Sequence, residues 1–188
     1  MGNPLLQRRT AQEYAASSQA FEIEAKVGDF ERLAEVIGAD LGALDAATRP
    51  PQWRDAQITG RMSFGFAAAP GRRPTADVHL VATVAAVCQR CLRPCTLPLQ
   101  VDLRLLFGRT GEDQLAGDDY EFWELQDGEL CPADLIDEAL VMALPFAAMH
   151  DADAECLLVP LAAVAVDEKA DKMTTPFADL KAQMAREN

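Results

Sequence analysis

The sequence predicts an α+β domain: a curved antiparallel sheet containing a long hairpin over about residues 76–107, capped by a helix over about 132–144. Three observations predict it. Apolar and polar residues alternate in several runs separated by turn residues, the period of strands with one wet face. Two of these runs are long and flank one short loop, as the arms of a hairpin do. A later run has apolar residues at helical spacing, with one proline at its start and another at its end.

Residues 1–19 read as an N-terminal arm, 20–160 as a single α+β domain, and 161–188 as a flexible acidic tail with a short C-terminal helix. Within the domain, Phe21, Ile23, Ala25 and Val27 alternate with Glu22, Glu24 and Lys26, which makes the first strand. Asp29 stands where it would cap a short helix over 30–37; Phe30, Leu33, Ala34 and Ile37 share its apolar face, and Gly38 is a stop signal. Pro50-Pro51 breaks whatever precedes it. Ile58, Met62, Phe64 and Phe66 then alternate with Thr59, Arg61 and Ser63 as a second strand. The hairpin follows, with Val78, Leu80, Ala82, Val84 and Ala86 in one arm and Leu97, Leu99, Val101, Leu103, Leu105 and Phe107 in the other. Its loop is 88–96. Residues 120–125 add a short edge strand whose acids discourage edge-to-edge pairing. Pro132 suits a first helical position, and Asp134, Asp137 and Glu138 lie early enough to favour the helix dipole. Leu135, Ile136, Ala139, Leu140 and Met142 form the apolar stripe before Pro145 ends the helix. Beyond Ala162 no strong period remains; 170–175 reads as a linker and 176–186 as a weak helix.

With 188 residues, 49% hydrophobic and 25% charged, the composition excludes collagenous, disulfide-framework and wholly disordered classes. No apolar run reaches the roughly 18–20 residues that span a bilayer, and residues 1–4 lack a charged-then-apolar signal pattern. The expected location is the cytosol, where thiols stay reduced; five cysteines then point to metal binding or burial before disulfides.

The net charge of −13 is unevenly spread. Residues 49–109 hold nine arginines against Asp55, Asp77 and Asp102, whereas 111–138 hold eleven acids and no lysine or arginine. Such asymmetry suits one face to RNA phosphates while another repels them, or serves a basic protein partner instead, unless the two segments neutralise each other in the fold. Arg90 and Arg93 on the hairpin loop, with Arg54, Arg61, Arg72 and Arg73, are the candidate RNA contacts. Trp53, Phe64 and Phe66 lie near them in sequence, but aromatics on strands belong to cores more often than to stacking platforms.

Cys88-Gln89-Arg90-Cys91 sits in the hairpin turn, and two thiolates at that spacing reach one Zn²⁺ at about 2.3 Å. His150 and Cys156, after the break at Pro145, would complete Cys₃His if the helix ran back along the hairpin, bringing the four donor atoms within roughly 4 Å of one another. Cys131 is a reserve ligand, and Cys95 is close enough in sequence to compete. Plain reduced thiols remain the alternative. A redox pair would normally open a helix, and this one heads a turn. The zinc-deaminase signature is missing, as Val87 rather than proline precedes Cys88 and no H-x-E occurs in 148–155. No Gly-rich phosphate loop, G-x-S-x-G or H-E-x-x-H is present. Asp118-Asp119 and Asp137-Glu138 read as solvated faces rather than a carboxylate dyad. His79, on the strand face opposite Val78 and Leu80, reads as a surface or packed residue.

The run Val87-Cys88-Gln89-Arg90-Cys91-Leu92-Arg93-Pro94, the helix Asp134-Leu135-Ile136-Asp137-Glu138-Ala139-Leu140 through Pro145, His150 with Cys156, and Pro176-Phe177-Ala178-Asp179-Leu180-Lys181 together resemble the YceD family of bacterial large ribosomal RNA subunit accumulation proteins. The resemblance spans about residues 20–182. It implies a non-enzymatic cytosolic factor supporting synthesis, processing or stability of 23S rRNA, acting on that RNA or on a large-subunit assembly intermediate, with no membrane partner. The alternatives from other classes are a zinc- or thiol-dependent enzyme and an acidic adaptor for a basic ribosomal protein. Cys95 stands where the family often has an aromatic residue, and the His150 to Cys156 spacing is one residue longer than in another member.

Overall fold

A computed structural model describes residues 3–67, 72–109, 111–112, 119–125, 128–151 and 156. The elements are β1 (Arg9–Thr10), α1 (Ala11–Ala16), β2 (Ala20–Lys26), α2 (Glu31–Leu41), β3 (Gln57–Phe66), β4 (Pro74–Val87), β5 (Pro94–Gly108), β6 (Glu121–Glu124), β7 (Glu129–Leu130) and α3 (Pro132–Met142). Five strands form an open sheet in the order β2-β3-β4-β5-β6, and β1 pairs with β7 in a separate two-stranded ribbon. The long β4–β5 hairpin is present, pairing from Thr75↔Leu106 to Val87↔Pro94. The edge strand at 121–124 is also present, but it lies parallel to β5 rather than antiparallel. β6 pairs with the last four residues of β5, from Leu105↔Glu121 to Gly108↔Glu124.

Strand alternation divides the sheet into two faces. Ile58, Met62, Val78, Leu80, Val101 and Leu105 are buried in one core with residues of α1, α2 and α3. Arg61, Asp77, His79, Asp102 and Arg104 face the other way and are exposed. Tyr14, Phe21, Phe64 and Phe107 link the inner face through stacked and edge-on ring contacts, with 4.8 Å between the Tyr14 and Phe64 centroids. Phe64 is therefore a core residue. Residues 9–16, which the sequence assigns to an arm, form β1 and α1 and place Tyr14 in that core with 1% of its surface exposed.

The start of α2 departs from the sequence expectation. Asp29 accepts from the Lys26 N–H at 2.8 Å and closes the tight turn before the helix. The N-terminus of α2 is capped instead from α3: the Asp137 carboxylate accepts from the Arg32 N–H at 3.0 Å and the Leu33 N–H at 2.8 Å. Asp137 is thus buried rather than on a solvated face, while its neighbour Glu138 pairs with Arg32. At the other end, α2 runs through Gly38 to Leu41. A Cβ at Gly38 would lie 3.3 Å from the Trp53 ring, so glycine serves close packing there and does not terminate the helix. Among the described residues, no helix is long and apolar enough to cross a membrane. The expected linker at 170–175 and helix at 176–186 lie outside the described residues, as do 113–118 and 126–127 of the acidic run.

Candidate metal centre

The hairpin loop is short because β5 resumes at Pro94. The Cys88 N–H donates to the Arg93 carbonyl at 2.9 Å, and the Leu92 N–H donates back to the Cys88 carbonyl at 2.8 Å. Leu92 takes a left-handed conformation, φ 56°, which is uncommon for a non-glycine residue. After α3, the chain passes Pro145 and approaches this loop, where the Gln89 N–H donates to the Ala148 carbonyl at 2.8 Å. That contact brings His150 to the cysteines.

Cys88, Cys91, His150 and Cys156 converge: their donor atoms all lie within 4.8 Å of one another. The Cys88 and Cys156 sulfurs are 3.7 Å apart, and His150 Nδ1 lies 3.6 Å from Cys91 Sγ and 3.4 Å from Cys156 Sγ. A tetrahedral zinc ion with bonds of about 2.3 Å to sulfur and 2.0–2.1 Å to nitrogen separates two sulfurs by about 3.8 Å and a sulfur from a nitrogen by about 3.6 Å. The three close separations match those edges, so this donor set fits such an ion. Cys88 and Cys156 are buried, and Cys91 and His150 are half-buried.

The surroundings of the sulfurs also suit a thiolate. Burial pushes the Cys88 thiol up, but the N–H groups of Cys91, Arg90 and His150, with the Cys91 side chain, outweigh it and bring Cys88 down to about 5. Cys156 moves oppositely: burial comes first, the neighbouring Cys88 and Cys91 add to it, and its thiol is pushed up to about 11. One thiolate held by backbone donors beside a protonated thiol is the arrangement expected when like charges crowd one place.

The other two cysteines are separate from the four. Cys95 packs beside Cys88, Cys156, Ala86 and Ala148, and its thiol is raised by burial first and then by the charge of Cys88. Cys131, the reserve ligand, lies elsewhere; it precedes α3 and donates to the Leu5 carbonyl at 3.4 Å.

The arginines do not make a single compact patch. Arg90 and Arg93 are exposed on the hairpin loop. Arg54 lies over the Trp53 ring at 4.6 Å, just before β3. Arg61 is midway along the open face, 3.7 Å from Glu22. Arg72 lies over Phe66 at 4.7 Å, and Arg73 pairs with Glu112 at 2.8 Å. These last two precede β4 and the first two follow it; at about 3.3 Å per residue its 14 residues hold the pairs roughly 45 Å apart. The Arg73–Glu112 pair joins the basic and acidic segments, whereas Arg61 and Arg104 find acids on β2 and β4. His79 is exposed on the open face and pairs with Asp102.

Two contacts around the centre were not legible in the sequence. One is the Gln89–Ala148 backbone bond; the other is the carboxylate of Asp40, on α2, which accepts from the Val87 N–H at 2.9 Å. The only available signal for the second was an acid in the last turn of a helix, where the dipole disfavours it.

No curated protein and no solved structure matches the chain. The family model described as large ribosomal RNA subunit accumulation protein YceD matches residues 76–182. That span takes in β4, β5, α3 and all four converging ligand candidates, and it is more than half of the 188 residues. The chain belongs to the YceD family of large ribosomal RNA subunit accumulation proteins.

Proposed function

We propose that this chain is a non-enzymatic ribosome-biogenesis factor that supports synthesis, processing or stability of 23S rRNA in the cytosol, with a structural zinc ion held by Cys88, Cys91, His150 and Cys156. Family membership supports the role in large-subunit RNA. The converging donor set carries the reading of the site, because three soft sulfurs and an imidazole are the ligands zinc takes in closed structural sites. Four protein ligands fill a tetrahedral shell and leave no position for an activated water. The ion would fasten the segment after α3 to the hairpin loop and stabilise the fold by binding only its folded form.

In this reading Arg90 and Arg93, on the loop that zinc stiffens, contact RNA phosphates, which position a protein without reading sequence. The acidic segment serves the same task by keeping RNA to one end of the molecule. A clean deletion should lower 23S relative to 16S rRNA. Wild-type protein should restore the ratio, and the Cys88→Ser, Cys91→Ser double variant should not. An unchanged ratio in the deletion would sink the functional reading, while full rescue by the double variant would remove zinc from it.

A further inference from the structure

We infer that Asp40, near the end of α2, is a positioning residue for the Cys88–Cys91 half of the metal centre, an inference that rests on the zinc reading above. β4 is longer than its neighbour on one side: pairing with β3 ends at Ile58↔Ala82, whereas pairing with β5 continues to Val87↔Pro94. The Cys88 N–H points to β5 and reaches Arg93, so the N–H of Val87, one residue earlier in an alternating strand, points away from β5, where β3 no longer runs. The Asp40 carboxylate occupies that side and accepts the bond at 2.9 Å. The Val87 carbonyl is held as well, accepting from Gln89 Nε2 at 3.2 Å. Both backbone groups of the residue preceding the first ligand are therefore fixed. The loop is clamped between α2 on one side and the Ala148 carbonyl on the other.

The placement of Asp40 runs against local preference. It lies in the last turn of α2, which contains no basic residue, where the negative end of the helix dipole disfavours a carboxylate. The Arg49 guanidinium, from beyond the helix, covers the carbonyls of Leu41, Gly42 and Leu44. An acid kept at a position that the helix disfavours, and satisfied by a bond to another element, is a local cost with a tertiary return. The return here is a strand end that holds Cys88 before metal arrives. Losing a partner bonded directly to a metal ligand typically weakens metal binding about 10–100-fold, and Asp40, which acts one residue back through Val87, belongs at the lower end of that range.

The test is zinc competition against a chromophoric chelator on the full chain, with melting of the loaded and metal-free forms measured in parallel. Wild-type protein should hold about one zinc per chain. Asp40→Ala should bind about 10-fold more weakly, and Asp40→Asn, whose amide oxygen still accepts, should stay close to wild type. The melting gap between loaded and metal-free protein should narrow in Asp40→Ala, whereas a purely structural role would lower both forms equally and leave the gap intact. Asp40→Glu keeps the charge and the helix but moves the acceptor by one methylene; faster zinc release is expected from it even if the alanine variant does not fold. Unchanged affinity, gap and release rate in these variants would overturn the role of Asp40 alone. Wild-type protein that takes up no zinc would overturn the zinc reading, and this inference with it.

Discussion

Asp137 belongs to α3 yet completes α2. Phe30, the residue before α2, offers no capping side chain, and the free N–H groups of Arg32 and Leu33 are satisfied by a carboxylate more than a hundred residues away in sequence. Removing a cap typically costs about 1 kcal/mol, and hydrogen bonds to a charged group in a buried place are worth about 1.5–3 kcal/mol. Asp137→Ala should therefore destabilise the protein by about 2 kcal/mol, read as a lower urea midpoint at unchanged slope. Asp137→Asn should lose less, because its one carbonyl oxygen still accepts. A midpoint unmoved by the alanine change would mean that the two helices are held together by packing alone. Asp40 has the same logic at the opposite end of α2, where its bond reaches the metal loop instead of a helix end.

At the scale of elements, α1 is too short to persist alone and is held by a capping box and by burial of Tyr14. The Glu13 carboxylate accepts from the Thr10 N–H and from the Thr10 hydroxyl, each at 2.9 Å, and that hydroxyl accepts from the Glu13 N–H at 3.2 Å. The bond from the Thr10 N–H, the larger cause, and then that from its hydroxyl hold Glu13 below its ordinary value of 4.5. A carboxyl depressed in the folded state contributes stability that is complete above its unfolded value and is lost as pH falls through the folded one. Glu13→Gln should accordingly melt below wild type at pH 6, and the gap should be smaller at pH 3. A gap of equal size at both pH values would show that charge at Glu13 plays no part. The β4–β5 hairpin needs no such device, since its length and inward-facing apolar rows determine its register.

Across the whole molecule, the two signs of charge are arranged by topology rather than by sequence proximity. The hairpin loop carries Arg90 and Arg93 at one end of β4, and Arg72 and Arg73 lie at the other. RNA association through the metal end should thus depend on the first two. Neutralising two phosphate contacts should reduce the slope of log affinity against log salt by roughly 1.4–1.8, so the Arg90→Ala, Arg93→Ala double variant should bind 23S rRNA fragments more weakly and with a flatter salt dependence. Arg72→Ala, at the far end, should leave the slope unchanged. An unaltered slope in the double variant would take the loop out of the RNA contact and favour a protein partner for the acidic segment.

Much of the architecture was legible because it is written in period and punctuation. Alternation marks β2 through β5 almost to their ends, Pro132 and Pro145 bracket α3, and the Cys88–Cys91 spacing announces half of a metal site, because strand, helix and turn preferences act over a few residues. His150 and Cys156 could be named as partners, but their meeting with the loop depends on the path of α3 and on the Gln89–Ala148 bond, neither of which local preference determines. The parallel setting of β6, the core role of Tyr14, the cap that Asp137 gives α2 and the anchor that Asp40 gives Val87 were all decided by tertiary structure. Each joins groups distant in the chain, and what selects such pairs is the need to satisfy buried backbone donors and fill one core, a condition imposed only when the whole chain has closed.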